Sequence, residues 1–209
     1  MGRPKTISTE QIVDAARALF MSKGFNVSTA EIAKAAGVSE GSIFNRFATK
    51  QSLFQAAMGI EDFPLDQRLD ALVGTRTPRE NLEEVCGELI AFFREALPRT
   101  MMVWATRSSD PIRSFRESRR FSALGYLKAM TRYLDAEMSA GRLRPCDPEV
   151  AARMLLGSLY NYAFFELVGV HVRMPIAGPS YIRALLDILE NGLFQPEDEG
   201  VAGREEDAA

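Results

Sequence analysis

Ser39–Glu40–Gly41–Ser42 and, one turn on, Asn45–Arg46 group side chains that suit a polyanion with readable edges. Asn45 carries the paired donor and acceptor that match adenine, and Arg46 carries a fork that fits guanine or a phosphate. Glu40 accepts from a cytosine amino group, or else favours the start of its own helix through the dipole. Gly41 leaves room for close backbone approach. This is binding chemistry, and nothing in the sequence adds bond-making chemistry to it. The one histidine, His171, has no Cys, Asp or Ser partner at useful spacing. There is no phosphate-cradling Gly loop and no metal-ligand cluster, so no catalytic residue, metal or cofactor is expected.

The elements that must present these residues lie in Ser28–Phe54. Ser28 with Glu31 forms a capping box, and Ile32, Ala35 and Ala36 share one helical face. Gly37 suits the left-handed conformation that ends a helix. Val38 plugs the turn, Ser39 caps a second helix with Ile43 and Phe47 inward, and Thr49 caps a third. Three caps in about twenty residues, with alanines where helices meet, predict a helix-turn-helix whose second helix enters a major groove.

The order Ala30–Glu31–Ile32–Ala33, Ala36–Gly37–Val38–Ser39, Gly41–Ser42–Ile43–Phe44–Asn45–Arg46–Phe47, Lys50 and Leu53–Phe54 resembles the DNA-binding region of the tetracycline-repressor (TetR) family. The match runs from about Ile7 to Met58; beyond it the resemblance is one of architecture. The resemblance implies that Lys50 binds phosphate and that Thr29 touches backbone or bases. The family's usual tyrosine, whose hydroxyl contacts phosphate, is replaced here by Phe44. A contact to a thymine methyl, or plain core packing, is what remains for that ring.

Net charge is −3, which alone argues against nucleic acid. Its distribution argues the other way: residues 1–55 hold seven Lys/Arg against four acids, +3, leaving −6 elsewhere. A basic end on an acidic body orients a protein on DNA. Arg3 and Lys5, in a short arm held extended by Pro4, either enter a minor groove or fray. Two cysteines without paired spacing, no apolar leader, and an apolar run (154–165) too short for a bilayer predict a soluble cytoplasmic protein.

Hydrophobic periodicity predicts an all-α chain of about nine helices and no strand. One helix is expected from Ser8 to Gly24, and a link helix from Thr49 to about Phe63. A helix from Pro78 is expected to close at Pro98, followed by a brief one over 100–106. Then come a helix from Asp110 to Ala140, one after the Asp147–Pro148 cap, a loop over 169–180 and a last helix ended by Pro196. The expected organisation is a helix-turn-helix domain over 1–55, a ligand-binding and dimerisation domain over 56–195, and an acidic disordered tail over 196–209.

The last two long helices are too apolar for exposed helices, so Leu155, Ser158, Leu159, Tyr162, Ile182, Leu185 and Leu189 are the expected dimer face. The resemblance implies a four-helix bundle made by two subunits, hence a homodimer on a double-stranded, pseudo-palindromic operator. It also implies a small-molecule effector in the middle of the chain, in a mostly apolar site. The candidates there are Leu89, Phe92, Phe93, Met101, Trp104, Phe121, Leu124, Met130, Tyr160 and Phe164, each of which would equally serve as core. Asn161 and Glu166 are candidate polar anchors. Arg113, Arg116, Arg119 and Arg120 form a basic stripe, a solvated face or a site for an anionic ligand. Taken together, these features point to a ligand-responsive repressor, or to a sensor on the same fold with little DNA affinity.

Overall fold

The computed structural model describes residues 8–59, 62–106 and 123–192. Ten helices and no strand occur among them. They are α1 (Thr9–Lys23), α2 (Thr29–Ala36), α3 (Glu40–Phe44), α4 (Lys50–Ala57), α5 (Leu65–Asp70), α6 (Pro78–Thr106), α7 (Ala123–Ser139), α8 (Pro148–Leu167), α9 (Val170–Arg173) and α10 (Gly178–Asn191).

Local chemistry sets the first four. Ser8 and Gln11, Ser28 and Glu31, and Thr49 and Ser52 each exchange two hydrogen bonds in a capping box at 3.0–3.2 Å. Gly37 takes φ +69 at the end of α2, letting Val38 N–H reach back to the Ala33 carbonyl at 3.0 Å. The four helices bury Ile12, Ala16, Phe20, Ile32, Ile43, Leu53 and Phe54 in one small core, with Phe20 and Phe25 both edge-on to Phe54 at 5.0 Å.

A second, larger core joins α5, α6, α7, α8 and α10 through Leu69, Leu89, Met130, Tyr133, Leu155, Leu159 and Leu186. The two cores meet along α6, whose Met102 and Val103 pack against the first.

Three expectations change. Pro98 does not close a helix: α6 runs through it for 29 residues. Proline forfeits one ladder bond and costs about 3 kcal/mol in an isolated helix. Here burial of Ala96 and Leu97 before it, and packing of Met102 and Val103 after it, hold both halves in line. Thr100 donates to the Ala96 carbonyl at 2.8 Å, bridging the same turn from its side chain.

The link helix is shorter than expected, ending at Ala57. Gly59 N–H closes on the Ala56 carbonyl, and Pro64 biases Phe63 away from helical backbone, so a connector separates α4 from α5. Finally, the expected loop over 169–180 contains α9 and the first turn of α10, with Gly169 at φ +81 turning the chain between α8 and α9. The expected helix from Asp110 is seen only from Ala123; its first half, the arm with Arg3 and Lys5, and the acidic tail lie outside the described residues.

Glu137 is fully buried in the second core. Its carboxylate accepts from Gly74 N–H at 2.9 Å and from Arg142 Nε at 2.6 Å, and Arg142 also donates to the Thr75 and Arg76 carbonyls. This ties the α5–α6 turn to the end of α7. Replacing Glu137 by Ala strands a buried N–H and a partly buried guanidinium, so a loss of about 2–4 kcal/mol is expected in urea unfolding. A loss under about 0.5 kcal/mol would show that the tie carries nothing.

Candidate nucleic-acid interface and cavity

The five residues of α3 are too few to hold a helix unaided. Ser39 caps it, accepting from Ser42 N–H at 3.2 Å, and Ile43 anchors it in the small core. Of the rest of α3, Ser42 is half-buried and Glu40, Gly41 and Phe44 are exposed. Asn45 and Arg46 are exposed as well, and Phe44 is 46% exposed instead of packed in the core. A Cβ added to Gly41 would meet nothing nearer than Ser39 Oγ at 3.9 Å, so internal packing does not require glycine there.

Thr29, half-buried at the start of α2, donates to the Glu40 carboxylate and so pins one reading-helix side chain to its neighbour. Ser39 and Ser42 share a hydroxyl contact at 2.8 Å, and Arg46 reaches the Ser42 carbonyl at 3.2 Å. Lys50 opens α4 with its ammonium 4.6 Å from the Phe25 ring centre. The structure thus brings Thr29 and Glu40 into contact, leaves Ser39, Gly41, Phe44, Asn45 and Arg46 exposed, and half-buries Ser42 and Lys50.

Behind that face, Lys23 bridges α1 to Glu31 of α2 at 2.9 Å. The Lys23 ammonium and the Ser28 N–H hold the Glu31 carboxyl at about 2, well below its ordinary 4.5.

A cavity of about 300 Å³ lies beside the second core, between α6, α7 and α8, and opens to the surface at Ala123 and Gly157. Phe93, Ala96, Leu97, Thr100 and Trp104 line it from α6, Ala123 and Tyr126 from α7, and Leu156, Gly157 and Tyr160 from α8. No lining residue among those described is charged. Of the sequence candidates, Phe93, Trp104 and Tyr160 line it.

The other candidates are elsewhere. Leu89 and Met130 are filled core, because α7 and α8 close over that part of α6. Phe92 turns to Phe63, Met101 and Phe164 are half-buried off the cavity, and Leu124 is 61% exposed. Asn161 is exposed, and Glu166 is held outside by Arg94 in a forked pair at 2.6 and 3.1 Å, so neither is a cavity anchor. Phe121 and the four-arginine stripe lie outside the described residues. The missed lining residues are mostly small ones, whose signal is the space they fail to fill.

The dimer candidates also need correcting. Leu155, Leu159, Tyr162 and Ile182 are buried in the protomer's own core and cannot reach a partner. Ser158, Leu185 and Leu189 are half-buried against the same core. On α8 the exposed stripe is instead Val150, Met154, Gly157, Asn161, Phe165 and Val168, and on α10 it includes Ile188. Both sides of α8 are apolar, and the sequence does not say which side faces inward. His171 rests on the Tyr162 ring at 4.6 Å, and no group of His, Cys, Asp and Glu among the described residues could hold a metal. No described helix is long and apolar enough to cross a membrane.

The two units are joined by polar clamps as well as by α6. Arg99 of α6, its side chain only 13% exposed, donates across to the Gly59 carbonyl at 3.1 Å; within the small unit, Arg17 of α1 donates to the Ala57 carbonyl at 2.9 Å. Both cations sit at the negative end of α4. Tyr126 donates to Asp62 at 3.0 Å and accepts from Phe63 N–H at 3.0 Å; its burial pushes the phenol well above its ordinary value.

The model for bacterial regulatory proteins of the tetR family matches residues 12–57, and that for the C-terminal domain of AefR-like transcriptional repressors matches residues 81–175. The HTH-type transcriptional repressor BdcR of Escherichia coli (strain K12) is 37% identical over 92 residues, 42% of this chain and 45% of its own length. The chain thus spans less than half of that relative in the matched region. The uncharacterized HTH-type transcriptional regulator YhgD of Bacillus subtilis (strain 168) is 25% identical over 160 residues, 74% of this chain and 81% of its own. Among solved structures, the SmeT–triclosan complex has a TM-score of 0.60 at 21% identity, covering 90% of this chain and 94% of that one. FadR from Bacillus subtilis in complex with stearoyl-CoA has a TM-score of 0.57 at 20% identity, covering 90% and 100%. At such identities these two likenesses concern the fold.

Stability of the helix-turn-helix should depend on Glu31 in acid. A carboxyl whose folded pKa is depressed stabilises above its unfolded value, and that stabilisation is lost as pH falls from about 4.5 towards 2. The melting temperature of the wild type should therefore fall more than that of Glu31→Gln across this window. Parallel curves for the two proteins would refute the role of the Lys23–Glu31 bridge.

Proposed function

Since the chain belongs to the TetR family of transcriptional regulators, we propose that it is a cytoplasmic, homodimeric repressor released from its operator by a small, mostly apolar molecule. The observation that carries the DNA reading is the outward face of α3, stripped of side chain at Gly41 and flanked by Asn45, Arg46 and Lys50. In the family's mode this face enters a major groove, Asn45 and Arg46 meet base edges, and Thr29 and Lys50 meet phosphate. Ser39, Ser42 and Glu40 complete the contact from the helix start, and Arg3 and Lys5 extend it along the minor groove.

One such helix covers too few base pairs for useful discrimination. Two copies, paired through the exposed stripe of α8 and the adjoining face of α10, would set the reading helices about 34–36 Å apart on a pseudo-palindromic site. The cavity between α6, α7 and α8 then takes the effector. Its lining, uncharged among the described residues, favours a neutral apolar molecule, and the triclosan complex of a structural neighbour is consistent with a ligand of that kind. Near-complete release needs roughly 5 kcal/mol of differential affinity between the bound and released conformations.

Phe44 supports the second reading, a sensor with weak DNA affinity. It is exposed where a hydroxyl would reach phosphate.

Gel shifts on a duplex selected from a random pool separate the two. Nanomolar to sub-micromolar binding at moderate salt is expected, and no shift at low salt would end the repressor reading. Lys50→Ala should weaken all duplexes alike and flatten the salt dependence by about one unit of slope. Asn45→Ala or Arg46→Ala should cost about 1–3 kcal/mol on the selected site and relax base choice. A Lys50→Ala protein that changed sequence preference alone would reverse these roles.

A further inference from the structure

Tyr126 belongs to two structures at once. Its ring is a wall of the cavity, and its hydroxyl holds the connector between α4 and α5 by two bonds, as donor to the Asp62 carboxylate and acceptor from Phe63 N–H. The contact continues through rings: Tyr126 stands edge-on to Phe92 at 5.8 Å, and Phe92 packs on Phe63 at 5.9 Å. The connector follows directly on α4, the helix whose Lys50 end meets the reading face and whose far end is clamped by Arg99 and Arg17. A molecule filling the cavity lies against this ring, and a swing of the side chain about χ1, unlike a flip about the ring's own axis, moves the hydroxyl that fastens residues 62–63.

We propose that Tyr126 is the positioning residue that reports occupancy of the cavity to the connector. An occupant shifts the ring, breaks the paired hydrogen bonds at Asp62 and Phe63, and frees the α4 end of the connector. The proposal rests on the reading of the cavity as the effector site.

The full-length protein tests it without knowledge of the natural effector. N-phenyl-1-naphthylamine serves as a neutral apolar probe, and Trp104, the single tryptophan and a lining residue, reports its entry by quenching. Hydrogen exchange of the segment 59–65 reports the connector. In the wild type the probe should quench Trp104 and speed connector exchange by roughly five- to thirtyfold, the yield of losing one or two net hydrogen bonds. Tyr126→Phe should exchange fast without the probe and respond little to it. Asp62→Ala, which removes one acceptor outside the cavity, should fall between the two while Trp104 is still quenched. A merely structural tyrosine would raise exchange in the variants but leave the wild type blind to the probe.

Quenching with unchanged connector exchange would overturn the coupling and leave the cavity reading standing. Absence of quenching would overturn both. Should Tyr126→Phe fail to fold, Asp62→Ala decides: connector exchange equal to the wild type, with and without the probe, overturns the proposal.

Discussion

One helix has to satisfy two hydrophobic cores. α6 lays Leu82, Val85, Leu89 and Phe93 into the larger core and, beyond Pro98, Met102 and Val103 onto the smaller one. Were it broken at the proline, the helix-turn-helix would hang on the connector alone. Continuity through Pro98 gives the small unit a stiff shelf. It also fixes where Arg99 stands, one residue past the proline and within reach of the Gly59 carbonyl. That single constraint places the C-terminal end of α4, and α4 in turn supports α3 through Leu53 and Phe54 in the small core.

What was readable in the sequence follows from the range of the forces involved. Caps and turns act over three or four residues, so Ser8, Ser28, Ser39 and Thr49 announced helix starts that the structure bears out, and Gly37 announced the turn. The outward set on α3 was readable for the same reason: only Ile43 of that helix is apolar and central enough to anchor it. Pro98 misled because its effect is decided by what α6 packs against, and that information is spread over residues far along the chain. The end of the link helix was misjudged more locally. The helical pattern of Leu53, Phe54, Ala57 and Met58 was carried past Gly59, which closes the last turn instead.

The cavity and the sides of α8 were hidden for a different reason. Large apolar residues mark where material is, and a cavity is where it is not. Ala96, Ala123 and Gly157 are ordinary in a helix, and only the packed structure shows that no neighbour among the described residues fills the room they leave. Leu89 and Met130 looked equally suited to the cavity but sit where helices close completely. On α8 two apolar stripes compete, one through Leu155, Leu159 and Tyr162 and one through Met154 and Phe165. Hydrophobicity ranks them about equally, so the side that meets the protomer's own core is fixed by tertiary packing alone.

Symmetry bears on whether so small a device can drive release. Two hydrogen bonds at Tyr126 contribute about 1 kcal/mol each in net terms, so one protomer shifts its connector by about 2 kcal/mol. That is well short of the roughly 5 kcal/mol needed to invert a two-state equilibrium almost completely. In a dimer gripping two half-sites the reading helices are set by a shared distance, and two occupied cavities act on that one distance. Their sum would approach the requirement, and loss of the Phe63–Phe92–Tyr126 ring contacts in the same motion would add to it. A monomer with the same cavity would gain only the first increment. On the proposed reading, pairing through α8 and α10 would do more than double the DNA footprint: it would let a modest ligand move an equilibrium that it could not move alone.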